Sequence, residues 1–291
     1  MEKKLKILMI GAHPDDDDGC GGGTALKYVK RGHEVRFLSV SDGRCGHHEM
    51  SPEALIARRR AEADEVARIA GLQYDVWDIP DGEVVATLEN RRRMICYIRA
   101  FNPDVIFTHR TNDYHADHRN VALLVQDASY LLQVPNLYPE APAMRRMPVI
   151  VFFADRFKNP SFRADVVVPI DGEIDGKYDL LNCHVSQYFE WLPYTAGKLE
   201  QVPATPEERY AWFRAPLVPR DRVLCAEDMA TPFPHSHSEY REARPSALYR
   251  DKLREQYGAE AADKVLFSEA FEISEYGRQP KREEYAELFA L

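Results

Sequence analysis

The sequence has no apolar run near the ~18 residues that a membrane-spanning helix needs, no CxxC pair, and no excess of positive charge. Each absence removes a class of protein. The apolar stretch Ile7 to Ile10, after a charged start, is too short for the core of a secretory signal. It reads as a first buried strand, and a cytoplasmic location without a membrane span is expected. Five cysteines, Cys20, Cys45, Cys96, Cys183 and Cys225, are odd in number and scattered. Neither a disulfide framework nor a thiolate zinc ribbon is therefore expected, and the thiols read as free. Thirty-eight Lys and Arg stand against 47 Asp and Glu, a formal charge of −9. Binding to a phosphate backbone needs the opposite balance, so no nucleic-acid partner is expected. The glycine-rich stretch at residues 19–23 lacks a usable G-x-G-x-x-G spacing and follows four aspartates, which argues against a dinucleotide fold fingerprint.

What is present is a globular composition: 291 residues, 45% hydrophobic and 11% aromatic. Short β-rich runs at Lys6 to Ala12, Val35 to Ser41, Tyr74 to Ile79, Asp104 to His109, Val149 to Phe153 and Asp165 to Ile170 are strand candidates. Helix-period stretches at Cys20 to Arg31, Pro52 to Ala70, Leu88 to Phe101 and His118 to Gln133 separate them. Strands alternating with helices predict an α/β, Rossmann-like three-layer sandwich with a mostly parallel sheet. A helix around Gly172 to Tyr188 and a helical, aromatic-rich C-terminal extension follow. One domain is expected, with an α/β core over 1–192, an insertion or cap over 193–262, and a return to the core over 263–291.

Three places carry chemistry. After the first strand comes Gly11-Ala12-His13-Pro14-Asp15-Asp16-Asp17-Asp18, and after the fourth comes His109-Arg110-Thr111-Asn112-Asp113-Tyr114-His115-Ala116-Asp117-His118. Loops at the carboxyl ends of parallel strands share one crevice, and imidazole with carboxylate suits zinc. The aspartate run, Asp17 and Asp18 in particular, also reads as a solvated loop. On the helix that Ser51 caps and Gly71 ends, Arg59 falls within the apolar face and Glu62 at its edge, so a buried ion pair between them is one reading. Seven aromatics between Tyr188 and Phe213 form either a sugar-stacking wall or a cap's own core, the latter favoured. His47 and His48 read as a solvent-exposed loop or a pocket lining, and His235-Ser236-His237 as a loop.

Taken together, GAHPDDDDGCGGG, SDGRCGH, Arg59-x-x-Glu62, HADHR at 115–119, HVSQ at 184–187 and SEAF at 268–271 resemble the LmbE-like, or PIG-L, family of zinc-dependent N-deacetylases. The resemblance implies hydrolysis of the N-acetyl group of an amino sugar or its conjugate. It implies His13, Asp16 and His118 as ligands of Zn2+, with Fe2+ or Mn2+ compatible with the same donors. It implies Asp15 as general base, His115 as oxyanion stabiliser or proton donor, and Asp117 as the group that orients the His115 ring. Arg59 would lie near the site, bracing carboxylates or touching substrate, and His184 at its rim, the other reading of His184 being a helix-capping or core histidine. Two departures from the family pattern are Ala116 in place of proline and Asp17 in place of glutamate; neither removes a ligand. The partner implied is a small-molecule amino sugar, and a homo-oligomer is compatible. The alternatives are a sugar-binding protein with an idle metal pocket and the same zinc chemistry on a different amide.

Overall fold

The computed structural model describes residues 4–229 and 238–291, so the His235-Ser236-His237 motif lies outside the described residues. Seven strands form one sheet: β1 Lys6–Gly11, β2 Glu34–Ser41, β3 Gln73–Ile79, β4 Val105–Thr108, β5 Val149–Phe153, β6 Val166–Pro169 and β7 Ser268–Ile273. Their order is β3-β2-β1-β4-β5-β7-β6. The first five are mutually parallel, and β7 runs antiparallel between β5 and β6. The α/β class with a mostly parallel sheet is as the sequence predicts.

Successive strand residues point to opposite faces, and β1 shows what that does. Ile7 and Met9 join the core on one face, with Ala25 and Tyr28 of helix α1 (Asp16–Lys30) and Ala63 and Val66 of α2 (Pro52–Ala70). Leu8 and Ile10 join the core on the other, with Ile95 and Ile98 of α3 (Leu88–Phe101) and Val121 and Val125 of α4 (Ala116–Leu131). All four strand residues are fully buried, each contributing about 1.5–3 kcal/mol of hydrophobic stabilisation. The sheet is thus covered on both faces, as continuous apolar strands require.

Three elements differ from the sequence expectation. Helix α1 starts at Asp16 rather than Cys20, which draws three of the four aspartates into its first turn, where the helix dipole favours negative charge. The helix expected over 172–188 ends sooner: α5 is Ile174–Cys183, and a wider π-helical turn, Ser186–Trp191, follows. Strand β7 is absent from the strands read from sequence. The remaining helices are α6 Leu192–Thr195, α7 Pro206–Phe213, α8 Ser238–Leu248, α9 Arg250–Tyr257, α10 Ala259–Ala262 and α11 Tyr285–Leu288. Tyr178, Leu181, Tyr188, Phe189 and Phe213 form a small core of their own, so part of the aromatic enrichment is cap packing. No helix among the described residues is long and apolar enough to cross a membrane.

Candidate metal centre

Strands β1 and β4 pair side by side, so the loops at their carboxyl ends meet. His13 Nδ1 lies 3.4 Å from Asp16 Oδ2, His118 Nε2 lies 3.5 Å from the same oxygen, and the two nitrogens are 3.3 Å apart. Zinc bonds of roughly 2.05 Å in a tetrahedron set donor atoms about 3.3–3.4 Å from one another. These three atoms therefore match one face of such a tetrahedron, and their chemistry fits zinc. The far nitrogen of each histidine also faces a carboxylate. His13 Nε2 lies 3.1 Å from Asp81 Oδ1 and 3.3 Å from Asp117 Oδ2, and His118 Nδ1 lies 3.1 Å from Asp113 Oδ1. Outer carboxylates of this kind fix the ring and raise its basicity as a ligand. Asp81 and Asp113 are absent from the sequence-derived site. Asp81 follows β3 at the same sheet edge, and its place there is the one available signal.

The four aspartates are not a solvated loop. Asp17 and Asp18 have no exposed surface and Asp15 is 9% exposed. Like charges so close survive because each faces a different partner. Asp16 Oδ2 accepts the N–H groups of Ala12 (3.0 Å) and His13 (2.8 Å), and His118 and His109 hold its carboxyl well below the usual range against the cost of burial. Asp17 Oδ2 accepts the N–H of Leu38 at 3.2 Å, yet burial and the charges of Asp18 and Asp16 push its carboxyl well up. Asp18 Oδ2 lies 2.7 Å from His184 Nε2. Asp15 differs: its backbone is held at a φ of 149°, a conformation costing an L-residue roughly 1–3 kcal/mol. Its N–H donates to the Tyr74 hydroxyl at 3.1 Å, while its Oδ1 has no hydrogen-bond partner among the described residues. Burial and the charge of Asp16 push this carboxyl up to about 6, against the pull of Arg59, His184 and His13.

His115 precedes α4, and its Nδ1 accepts the backbone N–H of Asp117 at 3.1 Å. The neutral ring must then carry its proton on Nε2, and burial with His13 and His118 nearby lowers its pKa, favouring that neutral form. The sequence reading has Asp117 orient this ring. Asp117 does so through its backbone, while its carboxylate accepts from Gly82 N–H (2.7 Å) and Val84 N–H (3.2 Å) and faces His13. His109 stacks on His118 with centroids 3.9 Å apart, and its Nε2 accepts the N–H of Ala12 at 3.1 Å. That nitrogen's lone pair is already engaged.

Arg59 is buried, as its place on α2 predicts, but it does not pair with Glu62. Its guanidinium donates to Gln187 Oε1 and to Gly46 O (3.3 Å). A Cβ at Gly43, where φ is +69°, would come within 2.7 Å of it. Glu62 instead accepts from Ser186 N–H (2.9 Å) and its hydroxyl (2.6 Å), and lies 3.2 Å from Arg58. His184 is not at a rim; it is fully buried at the end of α5, against Asp18. His47 and His48 are largely buried too, stacked on each other, with His48 stacked on Tyr194 at 4.1 Å.

The fold and this donor set define a class: an α/β protein with a histidine–carboxylate corner that could hold a metal at the carboxyl edge of its sheet. Over residues 8–129, from β1 through α4, the chain matches the family GlcNAc-PI de-N-acetylase, PIG-L, as the resemblance read from the sequence implies. His184 and the SEAF segment lie outside the matched residues. Among characterised relatives, a diacetylchitobiose deacetylase of Thermococcus kodakarensis is 31% identical over 137 residues, 45% of this chain. That stretch spans 51% of the relative, about half its length. A mycothiol S-conjugate amidase of Streptomyces coelicolor is 25% identical over 207 residues, 62% of this chain and 70% of the relative. Among solved structures, a 4-carboxy-2-hydroxymuconate hydratase from Pseudomonas putida superposes with a TM-score of 0.66 at 19% identity, over 96% of this chain and 99% of the other. That likeness shows the fold alone.

Proposed function

We propose that the protein is a metal-dependent N-deacetylase that removes the acetyl group from an N-acetylated amino sugar or its conjugate. The observation that carries this reading is a triangle of converging donors, His13, Asp16 and His118, beside a buried carboxylate, Asp15, with an oxygen left unpaired. The names of the two relatives support it, one a sugar deacetylase and the other an amidase. The fold by itself does not, since a hydratase shares it.

Bound by those three residues, zinc would supply Lewis acidity toward an amide carbonyl and toward water; iron(II) or manganese use the same donors. The remaining chemistry belongs to the chain. Asp15 is ionised at neutral pH, yet its raised pKa makes it a stronger base than an ordinary carboxylate. It takes a proton from water as the oxygen bonds to the acetyl carbon. His115, neutral with its proton on Nε2, donates to the carbonyl oxygen as negative charge develops there. When the carbon–nitrogen bond breaks, the proton held on Asp15 passes to the leaving nitrogen, and acetate and amine are released. Arg59 and Asp81 set the charge around Asp15 and His13 without reacting.

The test is acetate release from N-acetylglucosamine and N,N′-diacetylchitobiose by zinc-loaded protein, abolished by chelation. Asp15→Asn should keep its zinc and lower turnover by ~10²–10⁴-fold; loss of both, or of neither, overturns the division of roles. Release of a different acyl fragment would move the substrate to another amide. Sugar binding with no product would leave a binding protein.

A further inference from the structure

Asp15 is tied down through its backbone while one oxygen of its carboxylate stays unpaired. Its C=O accepts the N–H of Gly19 at 2.9 Å, the bond with which α1 begins. Its own N–H lies before the helix and has no helical acceptor. It donates instead to the Tyr74 hydroxyl at 3.1 Å. No other side chain among the described residues bonds to the Asp15 backbone. A φ of 149° makes such ties necessary, because a strained residue keeps its conformation only where the surroundings over-determine it.

Tyr74 belongs to none of the motifs in the sequence, yet its hydroxyl is fixed from two directions. Its ring, on β3, is the register partner of Phe37 on β2 and meets that ring edge-on, with centroids 5.4 Å apart. Both residues are buried. At the other end, the hydroxyl has one hydrogen to give and lone pairs to receive. Its acceptor is Asp18 Oδ2, a long contact at 3.5 Å, and that oxygen is held 2.7 Å from His184 Nε2. Burial and the charges of Asp18 and Asp17 push the phenol's pKa well up, so the hydrogen stays on the oxygen. With the hydrogen turned to Asp18, a lone pair is left for the Asp15 N–H. His184 and Asp18 thus sit behind Tyr74, and Tyr74 sits behind Asp15.

We propose that Tyr74 is a positioning residue for the reaction: its hydroxyl, oriented by Asp18 and His184, holds Asp15 in the strained backbone conformation from which its carboxylate acts. The inference rests on the deacetylase reading for the role of Asp15, and the contact itself is tested without that reading.

Tyr74→Phe keeps the ring against Phe37 and removes only the hydroxyl. In metal-free protein, hydrogen exchange of the Asp15 amide, read by NMR, should quicken by at least about tenfold, while that of Met9 in β1 holds. In zinc-loaded protein, kcat for acetate release should fall about 10–100-fold, with KM and zinc content within about twofold of wild type. A role in the scaffold alone would lower stability or zinc content and leave turnover per bound zinc unchanged. Tyr97→Phe removes a hydroxyl that donates to Asp75 from α3, and it should match wild type in both measurements. Unchanged Asp15 exchange, unchanged kcat, a fall in kcat only in step with lost zinc, or an equal fall in Tyr97→Phe overturns the proposal. Should Tyr74→Phe fail to fold, wild-type NMR decides: cross-relaxation between the Asp15 amide proton and the Tyr74 hydroxyl proton supports the contact, and its absence overturns it. Should wild type release no acetate, the deacetylase reading falls and the exchange result alone decides whether Tyr74 holds Asp15.

Discussion

Two buried clusters of charge flank the first turns of α1, and they differ in how their atoms are answered. On one side, Lys177 bridges Glu242 and Glu269, and Glu269 in turn accepts two backbone N–H groups from α1. These ion pairs join α5 to α8 and β7, and they use up the lysine. On the other side, the donor atoms of His13, Asp16 and His118 converge on a common point; a buried oxygen without a hydrogen bond occurs on both sides, Glu242 Oε1 on the first and Asp15 Oδ1 on the second. Burial of charge is common to both. What separates the structural cluster from the proposed reactive one is whether the donor atoms turn to one another or toward a shared space.

A crossed pair of substitutions breaks or confirms that distinction with the largest effects. His118→Ala should weaken zinc binding by more than ~100-fold, beyond the loss usual for an outer partner, as measured by competition with a chromogenic chelator. Its unfolding midpoint in the metal-free state should change little. Lys177→Met should do the reverse. It leaves two buried carboxylates without their cation, so stability falls by about 3–5 kcal/mol in urea unfolding while zinc affinity holds. If Lys177→Met weakens zinc as much as His118→Ala does, the two clusters form one unit and the distinction fails.

The parallel core is legible in the sequence because β1, β4 and β5 are buried on both faces and read as nearly unbroken apolar runs. Strand β7 is not, because its second residue, Glu269, is committed to Lys177 and breaks the apolar pattern. The donors of the metal corner are legible from position: a strand end followed by histidine and aspartate. The aspartate run reads wrongly as solvated, since nothing in four identical letters shows that each finds a different partner across the fold. Arg59 stands out as a charge on an apolar face, but its partner, Gln187, is 128 positions away, so the nearer Glu62 is the natural and incorrect choice. Asp81 and Asp113 look like any loop aspartates until the fold sets them against the histidines.

Asp113 sharpens the comparison at an intermediate scale, because it touches the metal corner only through His118. Asp113→Asn keeps shape and hydrogen-bonding ability but removes the charge facing His118 Nδ1. Zinc affinity should fall about 10–100-fold, with folding in the metal-free state near that of wild type. An unchanged affinity would mean that His118 does not ligate through Nε2.

The smallest effect lies where the two clusters approach each other, at His184 and Asp18. The pair is fully buried, with 2.7 Å between His184 Nε2 and Asp18 Oδ2. Burial opposes the charged imidazole, but the carboxylates of Asp18, Asp15 and Glu62 outweigh it and raise the histidine's pKa. A group whose pKa is higher folded than unfolded contributes stability that is fully present below the unfolded value of about 6.5 and is lost as pH rises through the folded value. Metal-free wild-type protein should therefore exceed His184→Gln in urea midpoint by more at pH 6 than at pH 9, a tenfold gain in the ring's proton affinity on folding being worth ~1.4 kcal/mol. A difference that stays constant across that range would mean that folding leaves the proton affinity of the ring unchanged.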